Sequence, residues 1–187
     1  MDAYWSGRGG DAGGETKPVD ADAIERTLAA LYARGRAAHP DLDVEDAAFA
    51  AHLGCCGAAV DGQRADDVHA EDLYLCCSGL LGDEAAVRTL RQCHRPVLAS
   101  HLRGIDGSPA FVEEVEQRFW DTALIGSVDA PARLASYSGR GPLGSWVGVA
   151  AQRIALMIRR REAAERRALD RVGVEARLAT KDRKSVV

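Results

Sequence analysis

A chain of 187 residues, 47% of them apolar, can bury a packed core, which excludes a wholly disordered protein. Only 5% of the residues are aromatic and no alternating run rich in Val, Ile, Thr and Tyr occurs, so the pattern points away from a sheet and towards an all-α fold. The net charge of −4 conceals a split: residues 132–187 hold 13 Arg and Lys against 5 Asp and Glu, residues 1–131 hold 11 against 23, and such asymmetry suits an anionic partner.

Residues 1–19 read as a flexible leader, because Gly and polar side chains bury too little surface to offset the entropy of ordering. The leader lacks the apolar core of a signal peptide, and no segment approaches about 18 consecutive apolar residues, which predicts a cytoplasmic protein with no membrane partner. There the five cysteines would be reduced thiols, and an odd number closes no disulfide framework.

Residues 20–66 form an N-terminal helical extension and linker. Asp20 or Asp22 can cap a helix in which Ile24, Leu28, Leu31 and Tyr32 recur at helical spacing, ending near Gly35 or Pro40. A second helix, capped by Asp43 with Asp46 three residues later, buries Phe49, Ala50 and Leu53 before Gly54. Gly57 to Asp67 is small and polar and reads as a linker.

The main helical domain spans residues 67–168. His69 to Leu81 predicts a helix stopped at Gly82, and Asp83 caps a longer one with Ala86, Val87, Leu90, Val97, Leu98 and Leu102 inward, which Pro96 should kink or divide. Ser108 as N-cap and Pro109 at the first helical position open the next helix, running to about Leu124. A short helix around Ala130 to Ala135 precedes the loop at Gly139–Gly141. Pro142 then opens a long helix with Leu143, Val147, Ala150, Ile154, Met157 and Ile158 on one apolar face and Trp146 at its border. Arg153 and Arg160 stack on one flank, with Gln152 and Arg159 on the outer side. Residues 169–187 form a basic tail, in which Glu175 to Val187 has no cap and no apolar period.

Two stretches in order carry a family resemblance: Phe111-Val-Glu-Glu-Val-Glu-Gln-Arg-Phe-Trp120, and the loop and helix with Tyr137-Ser-Gly-Arg140, Leu143, Trp146-Val147, Ala151 and Arg153. Together they resemble region 2 of the bacterial RNA polymerase sigma factors, most closely the extracytoplasmic-function type. That family's acid-rich helix has the form Asp-Leu-Val-Gln-Glu-Val-Phe-Leu-Arg-Val-Trp, and its loop and helix the form Phe-x-Gly-Arg-x-x-Leu-x-x-Trp-Leu-x-x-x-Ala-x-Asn. The likeness covers about Asp72 to Arg161.

The resemblance implies a compact helical bundle of sigma region 2 type and a non-enzymatic transcription initiation factor that uses no cofactor. Its partners would be core RNA polymerase, promoter DNA and a regulatory anti-sigma protein. The helices from Asp72 and Ser108 would meet the clamp coiled coil of the largest polymerase subunit, with Glu113, Glu114, Arg118 and Trp120 as contact residues. Tyr137, Arg140, Trp146, Gln152, Arg153 and the tip Arg159, Arg160 and Arg161 would engage the minus-ten element, with Tyr137 holding a flipped base; base–aromatic stacking is worth about 1–3 kcal/mol.

Two positions depart from the pattern: Arg153 stands where the family usually has Asn, and Glu116, where it prefers an apolar residue, is expected to face solvent. About 26 residues follow Arg161, too few for the second sigma domain, so either the chain is truncated, which is the expectation, or the factor works with region 2 alone.

Each residue also has a plainer reading. Arg159 to Arg161 and Arg166-Arg167 can be a solvated helix paired with Glu162 and Glu165, Trp146 a core anchor, and Tyr137 a cover for the preceding helix end. The alternative function is a helical protein-interaction module whose basic tail has no sequence-specific role. Cys55-Cys56, Cys76-Cys77 and Cys93-His94 lack the two-residue separation of zinc knuckles, and the adjacent cysteines read as small core residues. Cys93 with His94 or His101 makes a poor nucleophile–base pair, since sequence neighbours lie on different helix faces.

Overall fold

The computed structural model describes residues 21–58, 67–126 and 130–184, with side chains as far as Arg171. The described residues form six α-helices and no strand: α1 (Ala21–Ala38), α2 (Asp46–Cys56), α3 (Ala70–Leu80), α4 (Glu84–Leu102), α5 (Pro109–Leu124) and α6 (Leu143–Lys184). A short 3-10 helix, Arg133–Ser136, lies between α5 and α6. The all-α expectation holds. The expected leader and most of the expected linker lie outside the described residues.

The centre of the molecule is α3. Its sequence has no polar stripe, and a helix that is apolar all round is stable only when surrounded; Ala70 and every residue from Leu73 to Gly79 are buried. α1 packs on one side and α4 on another. This explains the adjacent Cys76 and Cys77, which face different directions and are both buried. Burial pushes the Cys77 thiol up to about 11 and the Cys76 thiol well above its ordinary value, so neither supplies a thiolate near neutral pH.

The helices before Asp67 share this core. The rings of Tyr32, Phe49 and Tyr74 meet with centroids 5.6–6.0 Å apart. The Tyr74 hydroxyl accepts from Val44 N at 3.3 Å and donates to Leu42 O at 3.2 Å, while Tyr32 donates to Val44 O at 2.8 Å, tying the α1–α2 connection to α3. Of the two stops expected for α1, Pro40 fits, the helix ending at Ala38, whereas Gly35 lies inside it at the crossing with α3: a Cβ there would fall 2.5 Å from Tyr74 Cβ. The glycine serves close approach, not termination.

Asp83 caps α4 as expected, accepting from Ala85 N and Ala86 N at 2.8 and 2.9 Å. Pro96, however, does not divide the helix. An internal proline costs about 3 kcal/mol, whereas Leu90, Leu98 and Leu102 are fully buried and each contributes about 1.5–3 kcal/mol, so packing outweighs the break. At α5, the Ser108 side chain makes no cap; Asp106 Oδ1 instead accepts from Ser108 N at 2.7 Å. The expected basic tail continues α6, whose 42 residues rise about 63 Å. Among the described residues, no helix is long and apolar enough to cross a membrane.

Candidate nucleic-acid interface

The glycine loop is folded onto the start of α3. Gly139 has φ +70°, a backbone conformation that glycine tolerates, and a Cβ there would lie 2.6 Å from Leu73 Cδ1. Its carbonyl accepts from His69 N at 2.9 Å. These contacts carry Tyr137 inward, to 2% exposure. Its hydroxyl donates to Gly141 O at 2.7 Å and lies 3.2 Å from Asp72 Oδ2; the same carboxylate oxygen accepts from Leu143 N at 2.9 Å. Burial and the Asp72 carboxylate push the Tyr137 phenol far above its ordinary value, so it remains a donor.

Tyr137 therefore differs from its expected role as a platform for a flipped base, because neither ring face is open. The plainer reading of Trp146 is the one that matches its surroundings: half-buried, it meets Tyr137 edge-on at 6.0 Å and Phe119 at 6.3 Å.

Beyond this clamp, α6 presents two faces. Leu143, Val147, Ala151, Ile154, Ala155 and Ile158 are buried. Opposite them, Val149, Gln152, Arg153, Leu156 and Arg160 are exposed. Met157, expected on the apolar face, is also exposed, because its position lies at the edge of the stripe that packs on α4. Arg153 and Arg160 make no ion pair among the described residues, and Arg140 is exposed on the loop just before the helix.

The other arginines of the expected site are engaged. Arg159, expected on the outer side, bends back to pair with Asp106 and with Glu162, the latter at 2.6 Å, and its guanidinium lies 4.2 Å from the Phe111 ring centroid. Two carboxylates and a ring face thus hold this half-exposed guanidinium against the bundle. Arg161 pairs with Glu165 at 2.8 Å on the exposed helix.

On α5, Glu113 is exposed and Glu114 pairs with Arg118 at 2.9 Å. Trp120, expected to touch polymerase, is 1% exposed and packs edge-on to Phe119 at 4.9 Å, so it is a core residue. Glu116, expected to face solvent, reaches Arg95 of α4 at 3.3 Å. No three His, Cys, Asp or Glu side chains among the described residues converge as a metal site would require.

Asp72 is the residue that sequence reasoning missed. It lies in the first turn of α3, an ordinary place for an acid, and nothing local marks it as the cap of a helix 71 positions later. Comparison of the chain with protein-family models, with curated proteins and with solved structures gave no match.

Proposed function

We propose that this chain is a cytoplasmic transcription initiation factor that docks on core RNA polymerase and lays the outward face of α6 along an opened promoter strand at the minus-ten element. One observation carries the reading: Arg153 and Arg160, seven residues apart on a single exposed face, have no carboxylate partner among the described residues, with Gln152 exposed next to Arg153 and Arg140 exposed on the loop that precedes the helix. Seven residues of helix rise about 10.5 Å, so the two guanidinium groups lie along one side of the helix, far enough apart to meet different phosphates of one strand. Guanidinium groups at that spacing suit backbone phosphates, and Gln152 adds a donor and an acceptor for a base edge.

Relative to the sequence expectation, the contact set contracts. Arg140, Gln152, Arg153 and Arg160 meet nucleic acid, whereas Tyr137, Trp146 and Arg159 build the support behind them. Polymerase docking falls to the exposed side chains of α5, Glu113 and Arg118, without Trp120.

The test is binding of the full chain, with core polymerase, to single-stranded non-template promoter DNA and to a scrambled strand of equal length. Preference for the promoter strand, declining with salt, supports the reading; equal binding to both strands, or none, overturns it. A second reading, a protein-interaction module with no sequence-specific DNA role, draws on exposed Leu156 and Met157 beside the arginines, and predicts no preference between the two strands.

A further inference from the structure

We infer that two copies of this chain associate head to tail, the outward face of α6 in one copy seating in the groove between α1 and α2 of the other. The groove has a volume of about 360 Å³ and is lined by Leu28, Ala29, Tyr32 and Phe49, with Glu25 and Asp46 as its acidic members. That size is at the small end of the roughly 300–1,000 Å³ range of ligand pockets, and its walls are two helices, the arrangement that accepts a third helix.

The occupant must be an amphipathic helix offering apolar anchors two turns apart with cations beside them. The outward face of α6 has that form. Val149 and Leu156 lie seven residues apart and Met157 beside them, at 45%, 41% and 59% exposure, with Arg153 and Arg160 interleaved. Leu156 and Val149 would lie against Leu28, Ala29 and Tyr32, over the floor formed by buried Phe49, bringing Arg153 and Arg160 to Glu25 and Asp46.

Charge agrees on the scale of the chain as well, the acidic excess lying in residues 1–131 and the basic excess in 132–187. A chain cannot fill its own groove this way. The opposite face of α6 is held against α4 and α5, so its outer face looks away from the bundle that contains α1 and α2.

This contact covers the arginines assigned to nucleic acid, so self-association and strand binding exclude one another. That regulatory consequence rests on the proposed function, but the contact itself does not.

The experiment is sedimentation of the full chain, without nucleic acid, over a range of concentrations and at low and high salt. The expected result is a mass rising above the 20.0 kDa of one chain at low salt and returning to it as ionic strength reaches about 0.5 M, where screening shortens below about 5 Å. Leu156→Glu and Ala29→Arg, both at exposed positions, should each weaken association at least about tenfold while leaving the helical circular dichroism unchanged.

An equimolar mixture of the two variants should form a dimer through one intact contact, since one retains an intact groove and the other an intact α6 face. A chain monomeric at all concentrations overturns the inference, as do variants that associate like the parent or a mixture that remains monomeric. Should either variant misfold, Glu25→Lys paired with Arg153→Glu replaces them, each alone weakening association and the mixture of the two restoring it. Because no DNA is present, failure here leaves the strand-binding reading standing. Failure of promoter-strand binding leaves the self-association standing in turn.

Discussion

Asp72, in the first turn of α3, accepts the backbone N–H of Leu143, the first residue of α6, at 2.9 Å, so the helix that presents the arginines is capped by a side chain from another helix. The first N–H groups of a helix have no partner within it, and a carboxylate at that end also meets the positive end of the helix dipole. Asp72→Ala should therefore lower stability by about 1–2 kcal/mol, the cost of a lost cap. Asp72→Asn retains an acceptor and should lose less than half of that. Urea unfolding measures both, and an Ala variant as stable as the parent would remove the cap from the account.

Tyr137 separates support from contact. Because its ring is buried and its hydroxyl donates to Gly141 O, Tyr137→Phe should cost about 1 kcal/mol and Tyr137→Ala about 3–5 kcal/mol. At a temperature where both remain folded, both should bind single-stranded DNA like the parent. A base-stacking tyrosine behaves oppositely: its Ala variant keeps its melting temperature and loses the strand. Thermal denaturation alongside fluorescence anisotropy distinguishes the two.

What was legible in the sequence follows from the range of each interaction. Helix starts at Asp83 and Pro109 depend on residues two or three positions apart, and the structure has them where the pattern sets them. Buried Leu90, Leu98 and Leu102 follow from helical period alone. Of the two stops the pattern offers for α1, Pro40 served and Gly35 failed, because a glycine at a helix crossing and one at a helix end look alike until the neighbour, Tyr74, is known. Tyr137, Arg159 and Asp72 failed for the same reason. Their partners lie elsewhere in the chain, and an exposed arginine such as Arg153 cannot be told from a pinned one such as Arg159 by spacing.

That distinction among arginines has a direct consequence. Replacing Arg153 and Arg160 together by Ala should weaken strand binding and reduce the magnitude of its logarithmic salt slope by about 1.4, two phosphate contacts at about 0.7 each on a single strand. Stability should be unchanged, since neither side chain makes an ion pair among the described residues. Arg159→Ala should do the reverse, costing about 1 kcal/mol of stability through Asp106 and the Phe111 ring with the salt slope intact. Anisotropy titrations at several salt concentrations, with parallel urea unfolding, test the pair; a slope change for Arg159→Ala would return that residue to the DNA contact set.

Stability should also fall on mild acidification. His52 of α2 is buried, its Nε2 has no hydrogen-bond partner among the described residues, and burial holds its pKa below the ordinary 6.5. His94 on α4 is lowered too, by burial, which outweighs the opposing pull of Asp72. In both cases the unfolded chain binds the proton more readily than the fold does, so stability rises with pH across the window. It is fully present above pH 6.5 and is lost as pH falls below that value towards the lower pKa values of the folded state. Glu71 acts in a separate, lower window: burial opposes its ionisation, but its own backbone N–H and Arg34 more than offset this, so its contribution is lost only below 4.5. His52→Leu removes a titrating group and a buried unpaired nitrogen together. It should leave the protein at least as stable at pH 7 and flatten the fall in unfolding free energy between pH 6.5 and about 5, measured by urea unfolding across that range. A variant with the parent's slope would assign the acid sensitivity to His94 instead.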